Sequence, residues 1–295
     1  PRAVDIALDG SIVRLGDPRK YFLSALRIES GSIREKISFL KYLFSQSTHG
    51  SNVESELLAA GCNNLYTRVL KPFLTGVFLA QPSRVDSVSG REIIKGFISG
   101  APGLPARGAG ELAQVLARDI GVVETGVQVN AITGLELSTS KGLVTARAII
   151  VATDQITAAQ LLKIEEVGES VSCTTWFHST PDDLECDATL RVDGLARGAI
   201  INSIAISKLV PLCAPIGRTL FSSTSLGHAS ESEVRRHLSL MWGVDTAGWE
   251  LVAKYDIKNS LPLFAPGRSH AQSLQVRPGV WRAGDYLSAA SQNGA

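Results

Sequence analysis

The stretch that most constrains this chain is "LVTARAIIVATDQITAAQLL", running from Leu143 to Leu162. Its centre, Ala148–Ala152, is an unbroken apolar run of strand length, the pattern of a strand buried on both faces. Thr153 or Asp154 can cap the helix that "QITAAQLL" predicts. Just upstream, "VQVNAIT" alternates Val127, Val129 and Ala131 with the period of a strand. Strands that feed a capped helix belong to a layered α/β domain.

The rest of the chain changes character along its length. The opening "IALDGSIVRLGDPRKYF" reads as a short strand pair and a loop with a proline stop. A helix is predicted from Ser32 to Gln46, where Ile33, Ile37, Leu40 and Phe44 recur at spacings of three and four and Phe39 and Leu43 widen the stripe. That stripe is expected to face the core. "VESELLAAG" is a second helix ending on Gly61. "NLYTRVLKPFLTGVFLA" is a third, kinked or divided by Pro72 and Gly76. After the Gly/Pro-rich "FISGAPGLPARGAG" comes a helix with Leu112, Val115, Leu116 and Ile120 on one face. The middle is strand-rich, with "VSCTTWFH", "ATLRV", "GAIINSIAI" and "TLFSSTSL" separated by turn residues. Ser230 to Glu233 then form a capping box for a helix reaching about Trp242, and "WELVAKYDI" is a further strand. This interleaving predicts two domains that the chain visits alternately, with boundaries at 1–99, 100–165, 166–267 and 268–295.

Hydrophobic residues make up 44% and charged residues 19% of the chain, which argues against disorder. The formal charge of +1 gives no field that would imply nucleic acid as partner. Cys62, Cys173, Cys186 and Cys213 form no C-x-x-C pair and read as reduced thiols of a cytoplasmic protein, a Cys173–Cys186 disulfide being the alternative. No apolar run is long enough to span a bilayer, and no secretory signal pattern follows Pro1. The missing start methionine and the abrupt end suggest a fragment. His49, His178, His228, His237 and His270 lack metal-binding spacing, and there is no G-x-S-x-G elbow. Asp182-Asp183 and Glu165-Glu166 read as solvated pairs. Trp176, Phe177 and His178 are expected to be core residues, with the lining of a substrate cavity as the alternative.

The C-terminal "RPGVWRAGDYLSAASQNGA" carries the strongest hint of chemistry. A strand that ends in Gly284-Asp285 and enters a helix offers free N–H groups, a close backbone approach and a carboxylate suited to ribose or polyol hydroxyls. Asn293, Gly294 and Ala295 are small or amide residues that permit a flat ring to come near. "GVWRAGDY…SQNGA" resembles the flavin-contacting motif of the FAD-dependent amine oxidase and phytoene desaturase superfamily. Further echoes follow in family order: "VLKPFLTGVFLAQP", Leu104–Gly110, "VQVNAI", "ARAIIVATD" and "NSLPLFAPG".

The resemblance implies an α/β fold: a partial FAD-binding three-layer domain with an inserted substrate domain of mixed β-sheet plus helices. The segments 100–165 and 268–295 would then belong to the FAD-binding domain, and 1–99 and 166–267 to the substrate domain. FAD would meet Gly284, Asp285, Asn293, Gly294 and Ala295, and the backbone of Val129 at its adenine end. The family's opening G-x-G-x-x-G unit is absent. Gly108-Ala109-Gly110-Glu111-Leu112-Ala113 matches G-x-G-x-x-A, but no buried strand precedes it, so it reads as a domain-crossing turn. By resemblance the intact protein would be a flavin oxidoreductase taking hydride equivalents from a small-molecule, lipophilic or other organic substrate. No catalytic residue can be named. Peripheral membrane contact through the Ser32–Gln46 helix is an alternative to core packing. The rival functions are a non-catalytic binding protein similar to the Rab GDP-dissociation inhibitors, and an inactive truncated fragment.

Overall fold

In the computed structural model, residues 3–16, 30–48, 50–100, 103–165, 167–181, 184–268 and 272–288 are described. Strands β1 (Ala3–Leu8) and β2 (Ser11–Gly16) form a hairpin whose Asp9-Gly10 turn has Gly10 at φ +66°. Among the described residues, five helices follow: α1 (Ile33–Phe44), α2 (Val53–Ala59), α3 (Asn63–Leu65), α4 (Lys71–Phe78) and α5 (Ser87–Ser99). A π-helical turn, Tyr66–Leu70, joins α3 to α4. Pro72 has no N–H to donate to the preceding turn, and the widened turn absorbs that loss. After α6 (Gly110–Ala117) come β3 (Val129–Thr133), β4 (Glu136–Thr139), β5 (Gly142–Thr145), β6 (Ile149–Val151) and α7 (Gln155–Leu162). The series closes with β7 (Ser170–Pro181), β8 (Leu190–Asp193), β9 (Ile200–Ala205), β10 (Arg218–Ser225), α8 (Glu231–Trp242), β11 (Glu250–Pro262), β12 (Gln275–Arg277) and β13 (Val280–Arg282).

The chain divides into two compact units. The first comprises 1–111, 172–258 and 265–267, and the second comprises the segments 112–171, 259–264 and 268–295. In the first, a seven-stranded mixed sheet runs in the order β11-β7-β10-β9-β8-β1-β2. Helix α8 starts on a full capping box, Ser230 with Glu233, and ends at Gly243 with φ +68°. Its apolar face, Val234, Leu238, Met241 and Trp242, packs with Trp176, Phe221 and Trp249 of the sheet layer. Phe221 is fully buried, with its ring stacked on Trp249 at 4.3 Å and edge-on to Trp242 at 4.7 Å. Aromatic contacts of this kind add about 1 kcal/mol each to the area they bury.

The helical part of the first unit turns α1 the opposite way from the sequence expectation. Ile33, Ile37, Leu40 and Phe44 are 53, 49, 54 and 86% exposed, whereas Glu35, Tyr42 and Leu43 are buried. The polar groups explain this. The Glu35 carboxylate completes the capping box with Ser32 and also accepts the N–H of Asn64 at 2.5 Å. Burial pushes its pKa up, but these hydrogen bonds outweigh that and hold it below the usual carboxylate range. Tyr42 lies under the buried Arg91 guanidinium, 4.1 Å from the ring centre, and Arg91 also bonds the Tyr42 carbonyl at 2.6 Å and pairs with Glu56. A face that anchors an acid and supports a buried arginine must point inward, which leaves the aliphatic stripe outside.

In the second unit, β3-β4-β5 form an antiparallel meander and β12-β13-β6 a second small sheet, in which β13 and β6 are parallel. One core collects Ile132, Ile149, Val151, Ala158, Leu162, Val280, Tyr286 and Leu287 from both sheets, α7 and the segment after β13. Three sequence expectations change here. Ile150 is 67% exposed, so β6 is buried on one face, because the core gathers on the side of Ile149 and Val151. In β3 a register shift between Val129 and Ala131 moves the inward position to Ile132 and leaves Ala131 exposed. Helix α6 stops at Ala117, before Ile120, and buries none of its residues.

Candidate cofactor site

The parallel pair β6 and β13 places two strand ends side by side, with Arg282 opposite Val151 and the Ala283 N–H donating to the Val151 carbonyl at 2.9 Å. Ligands of open α/β sheets bind beyond the carboxyl ends of parallel strands, where backbone groups are released from pairing. One strand end runs into Thr153-Asp154 and α7. There Asp154 is committed to capping, accepting the N–H of Ile156 at 3.0 Å and of Thr157 at 3.1 Å. The other strand end runs into Gly284-Asp285 and a single 3₁₀ turn, Asp285–Leu287, where the Leu287 N–H donates to the Gly284 carbonyl at 3.2 Å.

Gly284 is extended, and a Cβ there would lie 2.3 Å from the Tyr286 ring, so the glycine has a packing reason as well as any ligand reason. Tyr286 is buried, its hydroxyl has no hydrogen-bond partner, and burial raises its pKa. Asp285 is half-buried beside it. Val129 packs against the core to which Tyr286 and Leu287 also belong. Asn293, Gly294 and Ala295 lie outside the described residues.

Sequence reasoning missed the clamp behind this turn. Arg268 donates to the Leu263 carbonyl at 2.8 Å and the Tyr286 carbonyl at 3.1 Å, and its guanidinium lies 4.7 Å from the Phe264 ring centre. Gly168 leaves room for it, since a Cβ at that position would sit 2.7 Å from the guanidinium. Burial lowers the Arg268 pKa, yet an arginine stays cationic, and the two carbonyls are its compensation. No local pattern could have signalled this, because the clamp joins positions separated in the chain by 5 and 18 residues.

Other candidates resolve into structural roles. Gly108 sits at φ +92° in a turn, and residues 103–109 contain no strand, so the G-x-G-x-x-A match is not a pyrophosphate turn. His237 accepts the Ile200 N–H at Nδ1 (2.9 Å) and meets Asp193 through Nε2 (2.8 Å), which makes it a buried brace. Among the described residues no cluster of His, Cys, Asp and Glu could hold a metal. Trp176 and His178 are buried, with Trp176 donating to Ser225 at 2.9 Å. Phe177 is half-buried against Tyr255, ring edge to face at 6.0 Å. A hollow of about 730 Å³ along α7, bordered by Ile156, Lys163 and Glu169, does not include Gly284 or Asp285.

Among the described residues, the strand-end turn at Gly284 and the Asp285 carboxylate are groups of the kind that can take hydroxyls of FAD, and none forms a turn for its pyrophosphate. No helix among the described residues is long and apolar enough to cross a membrane.

No family model matches the chain, and no curated protein sequence does. Solved structures do match. An oxidoreductase from Methanosarcina mazei is similar with a TM-score of 0.71 at 14% identity, over 97% of this chain and 75% of its own. A protein proposed to be a protoporphyrinogen oxidase, from Exiguobacterium, gives 0.64 at 15% identity, over 97% of this chain and 76% of its own. UDP-galactopyranose mutase, solved in its reduced state, gives 0.58 at 13% identity, over 90% of this chain and 68% of its own. The chain thus shares the fold of these structures, a mixed α/β architecture with a large mixed sheet and helices, as its sequence predicts.

Proposed function

We propose that the protein is an FAD-dependent oxidoreductase, with the second unit as cofactor domain and the first as substrate domain. The observation that carries this reading is the pair of parallel strand ends, β6 and β13, that delivers the Gly284-Asp285 turn in a fold shared with oxidoreductases. When bound, FAD would accept a hydride equivalent from substrate and pass the electrons to a second acceptor.

This chain's residues would hold and orient the cofactor. Asp285 would accept hydrogen bonds from polyol or ribose hydroxyls, the Val129 backbone would meet the adenine end, and Asn293, Gly294 and Ala295 would let the ring approach. The clamp on Tyr286 from Arg268 would keep the turn in place before the cofactor arrives. The pyrophosphate would be held by a further strand–turn–helix unit of the polypeptide. The exposed Ile150 on β6 and the exposed Leu116 of α6 support this, since both are apolar positions that such a unit could cover. Half-buried Phe177, Leu220 and Ile204 on the first unit's sheet suit a lipophilic organic substrate.

The test is to purify the full-length protein and record its visible absorbance. Bound flavin is expected, and Asp285→Ala should weaken FAD binding about tenfold, the scale of one lost hydrogen bond to a charged group. A colourless protein that instead binds a protein partner would overturn this reading in favour of a non-catalytic binding protein.

A further inference from the structure

The exposed face of α1 needs an account of its own. Ile33, Ile37, Leu40 and Phe44 lie at helical spacings of four, three and four, so they form one continuous ridge along the helix. The opposite side is taken by Glu35 and Tyr42, which are buried, so the helix cannot roll to hide the ridge without breaking the capping box and the Arg91 stack. Bases border the ridge: Arg34 and Lys41 are exposed along one side and Lys36 lies along the other. The only acid in the helix sequence, Glu35, is turned inward and spent on the backbone N–H groups of Ser32, Asn64 and Leu65. An apolar ridge with basic flanks and no outward acid has the charge and shape of a helix that lies in the plane of an anionic lipid surface.

We propose that α1 docks this protein on anionic bilayers, with Ile33, Ile37, Leu40 and Phe44 entering the headgroup–acyl boundary and Arg34 and Lys41 meeting lipid phosphates and carboxylates. The surface is independent of the flavin reading, and its test needs no bound cofactor. Each basic side chain beside an anionic membrane strengthens binding about fivefold.

The experiment is co-sedimentation of the full-length protein with phosphatidylcholine vesicles, with and without phosphatidylserine. The wild type should sediment with the phosphatidylserine vesicles and much less with phosphatidylcholine alone. Arg34→Gln with Lys41→Gln should cut the affinity about 25-fold, and Leu40→Glu with Phe44→Glu should abolish sedimentation. All these side chains are exposed, so unchanged circular dichroism and melting temperature are expected and serve as the folding control. Two results would overturn the proposal. One is equal sedimentation of the wild type and the glutamate variant. The other is a protein that ignores vesicles but forms a dimer, by light scattering, that the glutamate variant splits.

Discussion

His178 shows how much a single buried side chain can couple this fold to pH. It is wholly buried, both ring nitrogens lack partners, and burial, reinforced by the nearby Arg235 charge, lowers its pKa from 6.5 to about 4. A base whose folded pKa is depressed binds its proton more readily when unfolded. Its contribution is therefore fully present above pH 6.5 and is lost as pH falls from there towards 4. The loss should reach about 3 kcal/mol. Urea unfolding at a series of pH values, for the wild type and for His178→Leu, isolates it. The difference between the two should grow in favour of the leucine variant below pH 6.5, and parallel curves would mean that the ring is hydrated or paired in solution. Nothing in "TTWFHST" forecasts the shift, because it depends on what α8 and Trp249 place over the ring.

At the scale of elements, close helix approach matters more than intrinsic helix preference. Gly90 sits inside α5, where alanine would normally gain about 1 kcal/mol of helix stability. A Cβ there would lie 2.1 Å from Cγ2 of Val53, a fully buried residue at the start of α2. Gly90→Ala should therefore destabilise by about 1–3 kcal/mol, the usual cost of overpacking. Combining it with Val53→Ala should cost less than the sum of the two single changes, because each removes the other's problem. Denaturant midpoints of the four proteins check this, and a stabilised Gly90→Ala would show that the two helices separate easily. The capping box of α8 was legible in sequence, and Asp154 was one of the two caps offered for α7, whereas the Ser32 cap of α1 was read only as the helix start. The close pass at Gly90 was not legible, because it needs a partner 37 residues away.

At the scale of the molecule, each unit has a core cluster of its own among the described residues, one around Phe221 and Leu238 in the first and one around Ile149 and Val280 in the second. Units with their own cores need not unfold together. Calorimetry of the full-length protein should resolve two transitions. Leu238→Ala should lower one of them and Ile149→Ala the other, each by the cavity cost of about 2–5 kcal/mol. A single transition that both variants shift equally would mean that β7 and β11, which carry the chain between the units, couple the cores into one cooperative system.

The sequence by itself made most strands and helices (though not α5), the capping box of α8, the mixed α/β class and the Gly284-Asp285 turn legible, because periodicity, capping and turn chemistry act over a few neighbouring residues. Only the tertiary structure decided which faces are covered. The periodic stripes of α1 and α6 and the apolar run of β6 marked surfaces that could be buried, yet Phe44, Leu116 and Ile150 stand exposed. Amphipathicity says that a face is apolar, but whether anything packs on it depends on polar anchors such as Glu35 and Arg91 that hold the other side in. The same limit applies at the candidate site. Gly284 and Asp285 were visible as a turn, whereas the Tyr286 ring against Gly284 and the Arg268 clamp depend on distant segments meeting in space.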